Sequence, residues 1–470
     1  MKLHIILSVL GNTTITNTTY HDTHTVNITS GKDNIYNRYA FCEVEGVLSY
    51  GSNSTLHFSV YLPDASSYNG RFMAVGNGGM AGTLDKAALM QQLNSGFASA
   101  AGDAGHLASL NNAGSGAPNT YIPYLHDPDE VQAWIHDAIA LFVPSTKELI
   151  KAYYNKDAAY SYYSGCSTGG AQGFALAQYH PELFDGIIAG CPGNWYSHLA
   201  LSFLWNAQHA VENSSYYLPQ SVLNFTGQAV LEACDTNDAV KDGVIENPTI
   251  TCLTPKQITA VKAIYAGPRD SNTGEQLYPG FAHGSEIQWI LQEGELSNAF
   301  SVPILQNLVY DSLTYDASTF DWASDVSDVN INAGAAIDAI STNLTAFRDR
   351  GGRLLVYQGW ADPFNAQTWP IQHYEDVQSF FDDDISNFYN VFMIPGGGHC
   401  GAASLYPQVP ATYHTVPALM NWVERGEKPE EVLTTNPTDG DVRSRKLCAW
   451  PRTATYVQGN VDDWTSYVCE

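Results

Sequence analysis

Five residues, Gly165-Cys166-Ser167-Thr168-Gly169, limit what this chain can fold into more than any bulk property does. They stand between a tyrosine-rich run, residues 159–164, that reads as a strand, and a stretch over about 169–180 that reads as a helix stopped by Pro181. A strand that becomes a helix within so few residues puts the serine on a sharp bend, and glycines on either side relieve the crowding there. Such a bend belongs to a sheet whose strands are joined by helices that pack back on it. The neighbouring sequence keeps the same rhythm. Residues 55–61 alternate polar and apolar, Arg71–Val75 is a short apolar strand ending in glycines, 130–154 has helical apolar spacing, and Gly186–Gly190 is the next apolar strand.

A serine hydroxyl is a poor nucleophile until a base takes its proton, and that base must itself be oriented. Where the serine sits on a strand-to-helix turn, its partners follow later in the chain, acid before histidine, at the ends of later strands. Asp362 follows a predicted strand over 353–357 through Gln358-Gly359-Trp360-Ala361. His399 follows a predicted strand over 390–394 through Pro395-Gly396-Gly397-Gly398. Ser167, Asp362 and His399 are therefore the candidate triad. An oxyanion formed on attack needs fixed N–H donors. Thr168, next after the serine, offers one, and Gly79 in the Gly76-Asn77-Gly78-Gly79 loop after Arg71–Val75 offers the other.

Cys166 stands beside the serine and Cys400 beside the histidine. If the two reacting groups touch, these sulfurs come within reach of each other, since adjacent Cα atoms are ~3.8 Å apart and bridged ones roughly 4.4–6.8 Å. A Cys166–Cys400 bridge would close a loop of more than 200 residues. In the chain-entropy model that closure stabilises by on the order of 5 kcal/mol.

Composition narrows the partners. A net charge of −27 repels phosphates and so excludes nucleic acid and anionic membrane surfaces, while suiting an uncharged substrate. With 28 Tyr and 10 Trp and few charges, the chain is core-forming rather than disordered. Eight cysteines without C-x-x-C spacing point to disulfides rather than a zinc cluster. N-glycosylation sequons occur at Asn12, Asn17, Asn27, Asn53, Asn213, Asn224 and Asn343, and together with the cysteines they favour secretion. Met1-Lys2 and the apolar run 3–10 have the charge and hydropathy of a signal peptide, but no small-x-small cleavage site follows, and a first strand is an equal reading. No apolar run is long enough to span a membrane. Between about 195 and 344 the strand–helix rhythm is lost, and the stretch reads as a loop-rich inserted lid. The part from Gly426 on reads as a stapled tail.

These residues resemble the fungal tannase and feruloyl esterase family over nearly the whole chain. The resemblance is carried by Phe41-Cys42-Glu43-Val44, Asn69-Gly70-Arg71-Phe72, Gly76-Asn77-Gly78-Gly79, Gly105-His106, Gly165-Cys166-Ser167-Thr168-Gly169-Gly170, Phe184-Asp185-Gly186-Ile187, Gly359-Trp360-Ala361-Asp362-Pro363 and Gly398-His399-Cys400-Gly401. It implies an α/β-hydrolase core with a mostly parallel sheet over 1–194 and 345–470, interrupted by a lid domain over 195–344. The family's Cys-Ser, Asp, His-Cys arrangement matches Cys166-Ser167, Asp362 and His399-Cys400. The implied activity is hydrolysis of a carboxylic ester through an acyl-enzyme. The implied substrates are small aromatic esters or esterified plant polysaccharide, feruloyl esters ahead of the gallate esters of a tannase. A non-catalytic phenolic- or carbohydrate-binding member of the same fold is the alternative of another class. Departures from the family pattern are the short region ahead of Phe41, Cys191 where alanine is more usual, and the loop Phe364-Asn365-Ala366-Gln367.

Three carboxylates crowd into the eight residues from Asp235 to Asp242, and such a cluster is the hard oxygen surrounding that calcium prefers. The spacing is not that of an EF-hand. It resembles the family's lid calcium site, with Asp235, Asp238 and Asp242 giving carboxylates and Val240 and Val244 giving carbonyls to a structural Ca2+. Cys234 and Cys252 flank the loop, and a bridge between them would close it. Cys448 and Cys469 pair as a C-terminal staple, as the family does, which leaves Cys42 and Cys191 paired by elimination.

Overall fold

Strands that are apolar on both faces, such as Ala98–Gly102 and Gly186–Gly190, need cover on both sides, and that demand shapes the first half of the chain. The computed structural model describes residues 11–30, 33–234, 254–403 and 405–470. It divides into two compact units. One runs up to Ser115 and takes in Ile122–Ala189 and Leu344–Gly352; the other holds Gly116–Tyr121, Gly190–Asn343 and Arg353–Glu470.

The strands of the first unit are β1 Thr13–His21, β2 Asn27–Ser30, β3 Asp33–Tyr36, β4 Phe41–Tyr50, β5 Ser54–Pro63, β6 Arg71–Val75, β7 Ala98–Gly102, β8 Tyr160–Cys166 and β9 Gly186–Gly190. Apart from the β2–β3 hairpin they form one sheet in the order β1-β4-β5-β7-β6-β8-β9. Pairing is antiparallel from β1 to β7 and parallel from β7 through β6 to β8. The change of direction follows the connections: a tight turn joins β4 to β5, whereas helices carry the chain back after β6 and β7. The helices are α1 Lys86–Asn94, α2 Pro128–Gln132, α3 Ala138–Tyr154 and α4 Thr168–Tyr179. The helix expected over 130–154 is α2 and α3 joined through a π-helical turn, Ala133–Asp137. Asp127 starts it by accepting from the Asp129 and Glu130 amides, with Pro128 at the first helical position.

In the second unit, β10 Arg353–Gly359 and β11 Tyr389–Ile394 pair in parallel, from Leu354 opposite Tyr389 to Gly359 opposite Ile394. The described residues of the stretch 195–344, expected to be loop-rich, are largely helical. They contain α5 Tyr196–His209, α6 Gln220–Cys234, α7 Pro255–Ala266 and a series of short 3-10 and π turns between Glu286 and Gly334. The periodicity of α5 is hidden because it is buried all along Tyr196–Leu204, so no polar face alternates with the apolar one. The tail is a three-stranded antiparallel sheet, Pro410–Tyr413, Glu431–Pro437 and Ser444–Cys448, beside a ribbon of Ala454–Tyr456 and Tyr467–Cys469. The expected Cys448–Cys469 disulfide staples the two, with Cα atoms 5.6 Å apart.

Among the described residues, no helix is long and apolar enough to cross a membrane. The run 3–10, the calcium-loop residues Asp235, Asp238, Val240, Asp242 and Val244, and the Cys234–Cys252 pairing lie outside what the structure describes. All seven sequon asparagines are exposed.

Candidate active site

β8 ends at Cys166 and α4 starts at Thr168, so Ser167 occupies the bend alone, at φ 63° and ψ −120°. That conformation is strained for a residue with a side chain and persists only where the surroundings impose it. Here they do. A β-carbon at Gly165 would lie 2.3 Å from Tyr163 Oη, and one at Gly169 would lie 2.8 Å from the Asn77 carbonyl oxygen. Tyr163, fully buried, donates its hydroxyl to the Gly169 carbonyl at 2.6 Å. The serine itself remains partly exposed, at the N-terminal end of α4 where helix N–H groups favour negative charge.

The Gly76-Asn77-Gly78-Gly79 loop leaves β6 and is locked to α4 by Gln172, a wholly buried residue. Gln172 Nε2 donates to Asn77 Oδ1 (3.1 Å) and to the Trp134 carbonyl (2.9 Å), and Gln172 Oε1 accepts from the Asn77 amide (3.1 Å). Asn77 Nδ2 in turn donates to the carbonyls of Thr83 and Gly102. The carbonyl of Gly79 is held twice, by Thr168 Oγ1 at 2.9 Å and by Trp134 Nε1 at 3.2 Å. The π turn after α2 carries Trp134, and such turns recur where a helix must aim a side chain at a functional site. Thr168 and Gly79, singled out from sequence, are thus in direct contact.

In the second unit, Asp362 lies in the turn after β10 and is fully buried. His399 Nδ1 donates to Asp362 Oδ2 at 2.8 Å. Gln358 Nε2 donates to the same oxygen at 2.9 Å, and the amides of Phe364 and Asn365 donate to Oδ1 at 2.8 and 3.0 Å. Burial pushes the Asp362 carboxyl up, but the His399 charge and hydrogen bond and the two amides outweigh it and hold the pKa below the ordinary value. The carboxylate therefore stays ionised and can only accept, which puts a proton on His399 Nδ1 and leaves Nε2 as the basic nitrogen. Phe364 stacks on the imidazole with ring centroids 4.6 Å apart. The carbonyls on either side of Asp362 are also tied down: Gln288 Nε2 donates to Ala361 and Gln292 Nε2 to Pro363, both at 2.6 Å. Those glutamines belong to the 3-10 turn Glu286–Glu293, so part of the expected lid holds the aspartate loop in place.

Cys191 corrects one expectation. It and Cys42 are both free thiols, so the pairing reached by elimination does not form. The reason is that the Cys191 sulfur is already engaged with the histidine loop. It accepts from the Cys400 amide at 3.3 Å and donates to the Gly398 carbonyl at 3.9 Å, bracketing His399 from both sides. The Cys191 carbonyl meanwhile accepts from Asn365 Nδ2 at 2.6 Å. Sγ of Cys191 and the nearest ligand atoms of Asp362 and His399 all lie within 4.8 Å of one another. Cys166 and Cys400 are each disulfide-bonded. Gln172, Trp134, Gln358, Asn365, Gln288 and Gln292 went unrecognised in the sequence, and the one available signal was Gln172 itself, set among Gly169, Gly170, Ala171, Gly173 and Phe174 in α4.

A partly exposed serine on a strained turn and an imidazole oriented by a buried carboxylate are the parts that acyl transfer requires. The chain matches the family described as tannase and feruloyl esterase over residues 42–251 and 248–470. The chain belongs to that family. Among its relatives, an uncharacterized esterase of Xanthomonas campestris is 30% identical, the match spanning 92% of this chain and 84% of that protein. Feruloyl esterase C of Talaromyces stipitatus is 29% identical over 91% of this chain and 85% of its own. The crystal structure of feruloyl esterase B from Aspergillus oryzae superposes with a TM-score of 0.85 at 25% identity, covering 98% of this chain and 97% of that one. Like the other members of the tannase and feruloyl esterase family, this protein is a carboxylic-ester hydrolase of α/β fold, as its strand–helix rhythm led us to expect.

Proposed function

We propose that this family member cleaves feruloyl and related hydroxycinnamoyl esters carried by plant cell-wall polysaccharide, as the names of its feruloyl esterase relatives support. Ser167 attacks the ester carbonyl while His399 Nε2 takes its proton. The backbone amides of Thr168 and Gly79 receive the oxyanion. His399 then protonates the leaving alcohol, and water releases the acyl group by the same steps in reverse order of partners. Asp362 orients the imidazole and stabilises its protonated form. The observation that carries this reading is the 2.8 Å hydrogen bond between His399 Nδ1 and an aspartate held ionised in a fully buried position, because that arrangement makes Nε2 a base.

Three further assignments go with it. Cys166 and Cys400 are bonded to each other, which the oxidised state of both and the free state of Cys42 and Cys191 support. The 195–344 region is a lid that selects substrate and holds a structural Ca2+ through Asp235, Asp238 and Asp242 and the carbonyls of Val240 and Val244; the crowding of acids in the sequence supports it. The protein is secreted and N-glycosylated, supported by seven exposed sequons.

The test is turnover of methyl ferulate against methyl gallate, with a fluorophosphonate to label the nucleophile. The reading expects hydrolysis of the ferulate ester and a label on Ser167. Preferential cleavage of the gallate ester would make the protein a tannase, and a folded protein that hydrolyses neither ester and takes up no label would be a binder. Calcium is tested separately: a chelator should lower the melting temperature and added Ca2+ restore it.

A further inference from the structure

Tryptophan rings are rarely left bare, because each gains by burying a large apolar face and giving its N–H a partner. Of the ten tryptophans in this chain, Trp360 and Trp450 alone have, among the described residues, neither a hydrogen bond on the indole nitrogen nor a ring or cation neighbour. Each of the others is engaged, by a hydrogen bond, a stacked ring or a cation. Both of these half-buried, unpartnered indoles line one cavity of about 590 Å³ in the second unit, well inside the range of ligand pockets.

The groups around them have the same character. His283 lies tilted against Tyr265 with ring centroids 4.3 Å apart, yet neither of its nitrogens has a hydrogen-bond partner among the described residues. Burial holds the His283 pKa below the ordinary value, so the ring is neutral and offers one donor and one acceptor. Gln372 and Thr368 also line the cavity, and neither side chain has a hydrogen-bond partner among the described residues. The two cations that reach it are already neutralised: Lys446 pairs with Glu431 at 2.7 Å, and Arg452 with Glu430.

We propose that this cavity is a saccharide subsite that takes a neutral stretch of polysaccharide backbone next to the ester being cleaved. Flat indole faces suit the C–H faces of pyranose rings. Indole N–H groups, an amide, a hydroxyl and a neutral imidazole, spread around one space, suit a ligand with many hydroxyls. The absence of an unpaired charge among the lining residues disfavours a carboxylate or phosphate ligand. A lone phenolic ring has too few oxygens to use so many directional partners. The cavity also borders the catalytic loops: Trp360 is two residues before Asp362, and Met393 and Pro395 lie at the end of β11, on the way to His399. The choice of a polysaccharide rests on the esterase reading above; the cavity and its unpartnered indoles do not.

The test uses the full-length protein and xylotetraose, which carries no ester and is not consumed. Titration should quench tryptophan fluorescence with one-site binding at millimolar or tighter affinity. Trp450→Ala should weaken binding by about tenfold or more, the loss of ~1.4 kcal/mol or more. Gln372→Leu, which leaves both indoles in place, should weaken it by a few-fold. In the wild-type protein, xylotetraose should raise the apparent KM for a feruloylated xylo-oligosaccharide while leaving methyl ferulate turnover unchanged. Absence of binding, binding that neither substitution weakens, or displacement of xylotetraose by free ferulate would overturn the saccharide assignment. Methyl ferulate turnover without xylotetraose binding would remove the subsite and leave the esterase reading; xylotetraose binding with neither methyl ester cleaved would do the reverse.

Discussion

Around Ser167 the missing side chains of Gly165 and Gly169 let neighbouring groups close on the turn, whereas Asp362 is held by converging donors, two local backbone amides and Gln358 on its own oxygens and two distant glutamines on the carbonyls beside it. The serine turn is held because Gly165 and Gly169 allow Tyr163 and the Asn77 carbonyl to come in close. The aspartate is held because the Gln358 side chain and the backbone amides of Phe364 and Asn365 donate to its oxygens, and the Gln288 and Gln292 side chains donate to the carbonyls on either side of it. The difference follows from the charge each must manage. A neutral hydroxyl needs only to be aimed, so a rigid bend is enough. A buried carboxylate must also be solvated by the protein, and each donor it receives is one that water would otherwise supply.

The largest effects should come from the reacting groups themselves. Ser167→Ala should lower kcat on methyl ferulate by on the order of 10⁶-fold, and Asp362→Asn by on the order of 10⁴-fold, because an asparagine no longer fixes the proton on Nδ1. If Asp362→Asn kept activity within tenfold of wild type while folded, the acid would lie elsewhere and the comparison would lose one side. The next effect separates the two kinds of loop. In Gly169→Ala the new β-carbon would press at 2.8 Å on a backbone oxygen, which should cost ~1–3 kcal/mol of stability and most of the activity. Gly401→Ala, beside the histidine, meets nothing within 4 Å and should change neither. Melting curves of the two variants decide it.

A third pair sharpens the contrast by pH. Gln172→Leu frees the Gly76–Gly79 loop and should reduce kcat roughly 10–100-fold, the scale of an ångström of misplacement, without moving the pH profile. Gln358→Met removes a donor that favours the ionised form of Asp362, so the Asp362 pKa should rise. The acid limb of kcat/KM should then move to higher pH. A shift of equal size in both variants would mean that the two loops are not held by different means.

The same contrast explains what could be read from the sequence. Short apolar strands such as Arg71–Val75 and Gly186–Gly190 coincide with their predicted limits, because a strand buried on both faces leaves a continuous apolar run bounded by glycine. The serine bend was legible because glycines are visible as residues. The supports of Asp362 were not, since a glutamine in a helix reads as a solvent-facing polar residue until its partner, some 70 residues away in the sequence, is known. The pairing of Cys42 with Cys191 failed for a related reason: elimination counts thiols, but the Cys191 sulfur has a hydrogen-bonding task in the histidine loop. The helix Tyr196–His209 was missed because burial on several sides erases its amphipathic pattern.

The smallest expected effect extends the comparison to stability. Among the described carboxyls outside the catalytic set, the second unit contains two that burial raises far: Asp338 to about 7 and Glu293 to about 8. In each case hydrogen bonds to the charged form oppose the shift without overcoming it; Asp338 accepts from the Ser197 amide and hydroxyl at 2.9 and 2.6 Å, and Glu293 from the Leu218 amide at 3.1 Å. Both groups bind a proton more tightly folded than unfolded. Their contribution to stability is therefore complete below pH ~4, where both states are protonated, and is lost progressively as pH rises through about 7 and about 8. Asp362 has the opposite sign, its depressed pKa withdrawing stability only in acid. The melting temperature should consequently fall between pH 5 and pH 8.5. Asp338→Asn and Glu293→Gln should each recover on the order of 2 °C at the alkaline end and little at pH 5, with Glu293 giving less because water still screens part of it. A melting temperature that stays flat over this range, or amide variants that stabilise equally at both ends, would show that these two carboxyls release their protons together with the unfolded chain's and that burial in this unit is less complete than its packing indicates.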